Sequence, residues 1–335
     1  MAFFGFGNYS KPGPGVSKDE IPKIAPVRFF EIVGRKFWKL IQVNLLFLIF
    51  FLLATFLSAV IWAIPGIFSI STPILSIPIG EHHLTLDLWN YLTMPIPFIF
   101  VFPFMAGLTI VTRNFAREEH AFILSDFMKS AKNNASLFIK NGILTYVLYV
   151  VLSFSISFYF LNGAGNSMFF IPAVFCFLLI LMYVFTQFYL CVIFVTFDLS
   201  FKQAYKNAFI LSIMGLGRNL LLLIIFVAMI VGAYFLLTLS PITFLFLVLF
   251  AIFLLFAFVS LLINFAIYPL IDQYLINPSK NPKSSEEKDS DSADTENSPI
   301  FQNLGEDMDF EEEDDEDGYV YVNGRMMKKS DVNKD

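Results

Sequence analysis

Six stretches without Lys, Arg, Asp or Glu break the chain into a regular alternation, at approximately residues 41–64, 94–112, 142–161, 168–197, 220–239 and 241–268. Each comes close to or exceeds the about 20 apolar residues that carry a helix across a hydrocarbon core of about 30 Å. The pattern predicts an all-α polytopic membrane protein with six transmembrane helices. The fourth and sixth stretches are long enough to tilt or to project from the bilayer. In the second, Pro95, Pro97 and Pro103 each remove a backbone donor that lipid cannot replace, which predicts a kink enclosed by neighbouring helices.

Between the apolar runs, three polar segments show helical periodicity. Phe30, Val33, Phe37 and Leu40 recur at spacings of three and four, with Arg28, Glu31, Arg35 and Lys39 between them. Leu124, Phe127, Ala131, Ala135 and Phe138 form a second stripe, opposite Asp126, Lys129, Ser130 and Asn133. Phe201, Ala204, Tyr205, Ala208 and Leu211 form a third, and Ser200 with Gln203 matches a capping box that starts a helix. These segments predict three amphipathic helices lying at the membrane interface. Lys129-x-Ala131-x-x-Asn134-Ala135 recurs as Lys202-x-Ala204-x-x-Asn207-Ala208. Either three amphipathic-helix plus hairpin repeats fill residues 28–275, or interfacial helices have converged on Lys, Ala and Asn.

Charge assigns the sides. All 22 Lys and Arg fall in the N-terminal arm, in residues 113–140 and 202–218, or in the C-terminal tail, and none lies in residues 65–93, 162–167 or at Ser240. Cations next to spans are retained in the cytoplasm, so both termini are expected there, in a cell membrane. With 57% hydrophobic and 15% charged residues, the composition lies outside the soluble range of about 45–50% and about 25%. Residues 1–275 carry 15 basic against 10 acidic residues, a net of +5, while 276–335 carry 7 against 18, a net of −11. Three domains follow: an N-terminal cytoplasmic arm at 1–27, a six-helix membrane domain at 28–275, and an acidic tail at 276–335 expected to be disordered. Within the tail, Tyr319 to Val322 followed by Asn323-Gly324 reads as a solvated local turn, with a small hairpin or a partner's docking strand as the alternative. The first span follows about 40 mostly polar residues and is expected to be retained rather than cleaved as a signal peptide.

Chemistry is sparse. Ion-coupled transporters and pumps carry ionisable groups at depth, and these spans have none, which disfavours proton- or sodium-driven transport. Gln187 and Asn264 are the main amides in the spans and are expected to bond between helices. Cys176 and Cys191, 15 residues apart in one helical run, are beyond disulfide reach. The densest polar block is Arg113-Asn-Phe-Ala-Arg117-Glu118-Glu119-His120; with Lys129, Asn134, Lys202 and Asn207 it makes up the candidate cytoplasmic surface. Its spacing matches no metal or catalytic motif, so ion pairing at the end of a span is the expected role. Glu81, His82, His83 and Asp87 are the other ligand-type group, but adjacent histidines in an extended segment point to opposite faces. Trp89 and Tyr91 read as interface anchors. No phosphate loop, nucleophile elbow or dinucleotide fingerprint occurs, and no cofactor, enzymatic activity or nucleic-acid partner is expected.

Tyr9-Ser-Lys-Pro-Gly-Pro-Gly-Val-Ser-Lys18, Phe29-Phe30-Glu31, Arg35-Lys36-Phe37-Trp38-Lys39-Leu40-Ile41, the stretch from Gly107 through the Arg113 to Glu119 block to Asp126-Phe127, and Lys206-Asn207-Ala208 together resemble the YesL family of bacterial integral membrane proteins, over roughly residues 1–275. Some members are encoded near carbohydrate ABC transporters and two-component sensors. The resemblance implies an accessory role in carbohydrate uptake or sensing, with an ABC-type sugar transporter or a sensor kinase as partner besides the lipid bilayer. A second copy of the chain is left open as a partner. The alternative is a facilitative transporter or flippase for an uncharged solute, its path lined by the Pro-rich second span and by polar rows on the third and fifth.

Overall fold

The computed structural model describes residues 24–79, 82–163, 166–276, 319–322 and 325–328. Helices dominate it. Among the described residues, five helices are long and apolar enough to cross a membrane, and a sixth span results if one bent pair counts as a unit. The chain is thus built as a multi-pass membrane protein.

A short amphipathic helix, α1 (Ala25–Arg35), leads through a break at Lys36 into the long α2 (Phe37–Ile67). That break shifts the expected apolar phase. Phe29 and Ile32 are buried, whereas Phe30, assigned to the stripe from its spacing, is 65% exposed. A two-stranded antiparallel hairpin follows, β1 (Ile74–Ile79) pairing with β2 (His82–Asp87). Asp87 then accepts from the Trp89 and Asn90 amides and caps α3 (Leu88–Thr93).

The second apolar run is broken as its prolines require. α3, α4 (Ile96–Ile99) and α5 (Phe102–Ala116) replace one continuous helix, with a bend of 43° between the two halves. Neighbouring helices satisfy carbonyls in this interrupted stretch: Ser58 Oγ of α2 donates to Met94 O at 2.8 Å, and Tyr146 Oη donates to Leu92 O at 2.8 Å. Trp89 and Tyr91, expected as interface anchors, also tie α3 to its neighbours. The Trp89 indole donates to Ile61 O at 3.2 Å, and the Tyr91 hydroxyl meets Val150 O and Ser153 Oγ.

Beyond α5 come α6 (Ile123–Asn133), the long α7 (Ala135–Gly163), α8 (Phe170–Thr196), α9 (Phe201–Met214) and α10 (Leu216–Leu239). The amphipathic α6 and α9 pack back against the helices before them, α5 and α8. Phe127, Ala131 and Phe138 are buried as the second stripe requires, though Leu124 is exposed; Ala204, Ala208 and Leu211 are buried in the third. The capping box at Ser200 and Gln203 is formed.

The sixth apolar run departs most from expectation. It divides at Leu254 into α11 (Pro241–Phe253) and α12 (Leu255–Ile271), so only the second piece is of spanning length once the following turn through Ile276 is added. No proline or glycine marks the break. Asn44 of α2 fits into it instead: its Nδ2 donates to Ile252 O at 2.8 Å, and its Oδ1 accepts from Ala257 N at 3.0 Å. Two of the backbone groups freed by the break are thereby satisfied from a helix over 200 residues away in sequence.

Buried side chains concentrate at the end of the bundle that carries the basic segments. They include the last turns of α5, Phe185 to Thr196 of α8, and Ala257 to Ile271 of α12. Toward the other end, α7, α8 and α10 present mostly exposed apolar side chains, the surface that lipid covers. In the tail, β3 (Tyr319–Val322) pairs with β4 (Arg325–Lys328), so a hairpin forms where a plain turn was the leading reading. The rest of the acidic tail and most of the N-terminal arm lie outside the described residues, including the Pro-Gly-Pro-Gly motif.

Candidate functional site

Four of the candidate residues sit where α5 ends. Glu118 takes a left-handed backbone conformation, φ 62°, uncommon for a side-chain-bearing residue and worth about 1 kcal/mol or more of strain. It allows a helix-terminating pair of hydrogen bonds, Glu119 N to Asn114 O at 2.8 Å and Glu118 N to Phe115 O at 3.0 Å. The geometry turns the Glu118 carboxylate back toward α1, where it accepts from Arg28 Nε at 3.0 Å and from Arg35 Nη2. Those arginines are seven residues apart and share a helix face, so one carboxylate fixes α1 along two turns. The hydrogen bond from Arg35 leads in holding the Glu118 carboxyl below its ordinary 4.5; partial burial opposes it and Arg28 assists it. The Arg35 guanidinium is raised in turn by that bond.

Arg117 pairs with Glu119 at 2.7 Å and lies over the Tyr268 ring of α12, 5.0 Å from its centroid. Arg113 is fully buried, donating from Nη1 to Thr196 Oγ1 at 2.9 Å and from Nη2 to Asn114 Oδ1 at 2.9 Å. It joins α5 to the end of α8. Lys36, at the break between α1 and α2, lies 5.6 Å from the centre of the Phe115 ring; burial, then the nearby Lys39 and Arg35, lower its pKa.

The other candidates separate into two classes. Asn134 and Asn207 are buried, and Asn134 Nδ2 donates to Ser130 O at 3.0 Å, so this pair belongs to packing. Lys129 and Lys202 are exposed, as are Lys132 and Lys206 on the same helices. His120 is exposed, its ring edge against Phe122. Among the described residues, no three His, Cys, Asp or Glu side chains converge on a position that could hold a metal ion.

The amides in the spans bond between helices, and there are more of them than the two anticipated. Asn264 Nδ2 donates to Thr112 Oγ1 at 2.9 Å, joining α12 to α5. Asn141 Nδ2 donates to Gln187 Oε1 at 2.8 Å, and Tyr205 Oη donates to Asn141 Oδ1, linking α7, α8 and α9. Asn44 and Asn141 each lie at the start of an apolar run, beside Gln42 and Lys140, so nothing in the sequence separates them from ordinary polar residues at the end of a span.

A cavity of about 1850 Å³ opens between α10, α11 and α12, with α1 across one end. Its walls are apolar along most of its length, Leu222, Phe226, Phe244 and Phe258 among them, while Arg28, Arg117, Arg218 and Asp272 line the end nearest the basic layer. No motif announces it, because Arg218 reads as an ordinary cation ending a span. No protein-family model, curated protein or solved structure matches this chain.

Proposed function

We propose that this chain is a non-enzymatic accessory protein of the cell membrane, of YesL type, crossing the bilayer six times with both termini in the cytoplasm and docking a carbohydrate transporter or its sensor kinase. α11 and α12 together serve as the sixth span in this reading, and the distribution of Lys and Arg supports the orientation. The packing of α6 on α5 and of α9 on α8 is what a repeated unit would give, and we include the repeat in the proposal.

One observation carries the docking role. The polar block around Arg113, Arg117, Glu118 and Glu119 is engaged inside the chain, holding α1, α8 and α12 in place. Lys129, Lys132, Lys202 and Lys206, by contrast, project from α6 and α9. Exposed lysines on two helices packed against their neighbours suit an acidic partner surface or anionic headgroups. The solute-path alternative is less favoured, because Asn141, Gln187, Tyr205, Thr145 and Tyr183 bond to one another between helices.

Affinity capture of a Lys129→Glu/Lys202→Glu double variant from gently solubilised membranes tests the proposal. Transporter or sensor subunits recovered with the unaltered chain should fall at least about tenfold with the variant, at equal membrane abundance. Recovery of the unaltered chain alone, or only with copies of itself, would overturn the docking role.

A further inference from the structure

The cavity beside α10 differs from a small-molecule pocket in size and shape. Its volume of about 1850 Å³ exceeds the roughly 300–1,000 Å³ usual for such sites. Arg218 and Leu237, both in its wall, are 19 residues apart on α10, about 28 Å along a helix and close to the full hydrocarbon thickness. Leu221, Ile230 and Leu236 are exposed along the same wall, so the cavity opens sideways toward lipid.

In a bilayer an apolar hollow of this form fills with an acyl chain. The chain gains little by entering, since lipid tails elsewhere are as apolar as these walls. Any selectivity must come from the polar end. There, three arginines face one aspartate, a net of +2 for the groups lining that end. Arg28 and Arg117 already hold Glu118 and Glu119, and both carboxylates lie outside the lining. Nη1 of Arg218 is buried and has no hydrogen-bond partner. A guanidinium donor left so at the edge of the hydrocarbon is costly, and a phosphate oxygen matches its planar fork.

We propose that this cavity is a binding site for one anionic phospholipid of the leaflet on the basic side, its acyl chain between α10 and α12 and its phosphate against Arg218, flanked by Arg28 and Arg117. A zwitterionic lipid is disfavoured, because Arg218, the guanidinium that Glu118 and Glu119 do not hold, attracts its phosphate but repels its second, cationic group. The site stands independently of the docking role, as it uses neither α6 nor α9.

The test is native mass spectrometry of purified, delipidated full-length protein after exposure to phosphatidylglycerol or phosphatidylcholine in mixed micelles. Phosphatidylglycerol should be retained about tenfold or more over phosphatidylcholine, and Arg218→Gln should reduce that ratio to near one. Arg218→Lys should keep part of the preference, while Lys140→Gln on distant α7 should leave it unchanged. Gly232 lies in the wall with open space where a side chain would go, so Gly232→Trp should narrow the hollow and reduce retention of both lipids in a protein that still folds. Equal retention of the two lipids by the unaltered protein, or a preference that survives Arg218→Gln, would overturn the proposal. So would a polyprenyl phosphate outcompeting phosphatidylglycerol for the same arginine.

Discussion

Asn44 gives the fold a sharp energetic test. Its amide supplies both partners that the α11–α12 break leaves wanting, Ile252 O at 2.8 Å and Ala257 N at 3.0 Å, and its side chain is fully buried. Asn44→Leu keeps the approximate volume and removes both bonds. A buried, unsatisfied polar group costs about 1–3 kcal/mol in soluble proteins, whereas side-chain bonds between membrane helices average about 0.6 kcal/mol with a maximum near 1.7. The lower scale reflects a reference state in which groups find other partners. Here the groups left unpaired are backbone atoms at a fixed break within an apolar run, where lipid offers no replacement partner, so the upper part of that range applies to each. The expected loss is about 2–3 kcal/mol for the pair. Unfolding in mixed micelles of rising denaturing-detergent fraction would measure it, with Gln42→Leu, two residues away and exposed, as the control expected to stay within about 0.5 kcal/mol. An Asn44→Leu protein as stable as the control would refute the assignment and mean that the break closes into a continuous helix.

Glu118→Gln should weaken the hold on α1 by only about 0.2–1 kcal/mol per lost pair, because Arg28 and Arg35 are each about half exposed (53% and 51%). The folded carboxyl lies below its ordinary 4.5, so its contribution is present above that value and is lost as pH falls through the lowered one; pH-dependent protease sensitivity of α1 should show the wild-type advantage vanishing on the acid side. Glu118→Gly should recover part of the loss at neutral pH by relieving the φ of 62°. Gly215→Ala would place a Cβ 2.0 Å from Tyr189 Oη and disturb its 3.1 Å bond to Asn219, lowering thermal stability, and adding Tyr189→Phe should restore part of it. Gly107→Ala would set its Cβ 2.6 Å from the backbone oxygen of Phe127, which cannot rotate away, so α6 should separate from α5 and become the first site of proteolysis.

The features readable in the sequence were those governed by local rules. Runs without charge located four of the spans with ends within seven residues, three prolines announced the interrupted second span, and the Ser200–Gln203 capping box needed only four residues to be recognised. Long-range features were hidden. The break at Leu254 lies in an unbroken apolar run and depends on Asn44, so only tertiary structure shows why it is tolerated. The α1 stripe was misphased by one residue at Phe29 and Phe30 because periodicity was carried across Lys36, where the helix stops. In the candidate surface, spacing found the residues but could not rank them. Glu118 and Lys129 look alike as exposed charges in sequence, yet one clamps a helix and the other faces outward. The cavity left no motif, since apolar residues wall it and any membrane span contains the same kinds.

The docking surface needs the basic layer to face the cytoplasm. Single cysteines at Ser71, beside the β1–β2 hairpin, and at Lys140, in the first turns of α7, report the two sides once Cys176 and Cys191 are replaced by alanine. A membrane-impermeant maleimide applied to intact cells should label Ser71→Cys at once and Lys140→Cys only after permeabilisation. Labelling of Lys140→Cys in intact cells, with Ser71→Cys protected, would invert the topology and contradict the account at its base.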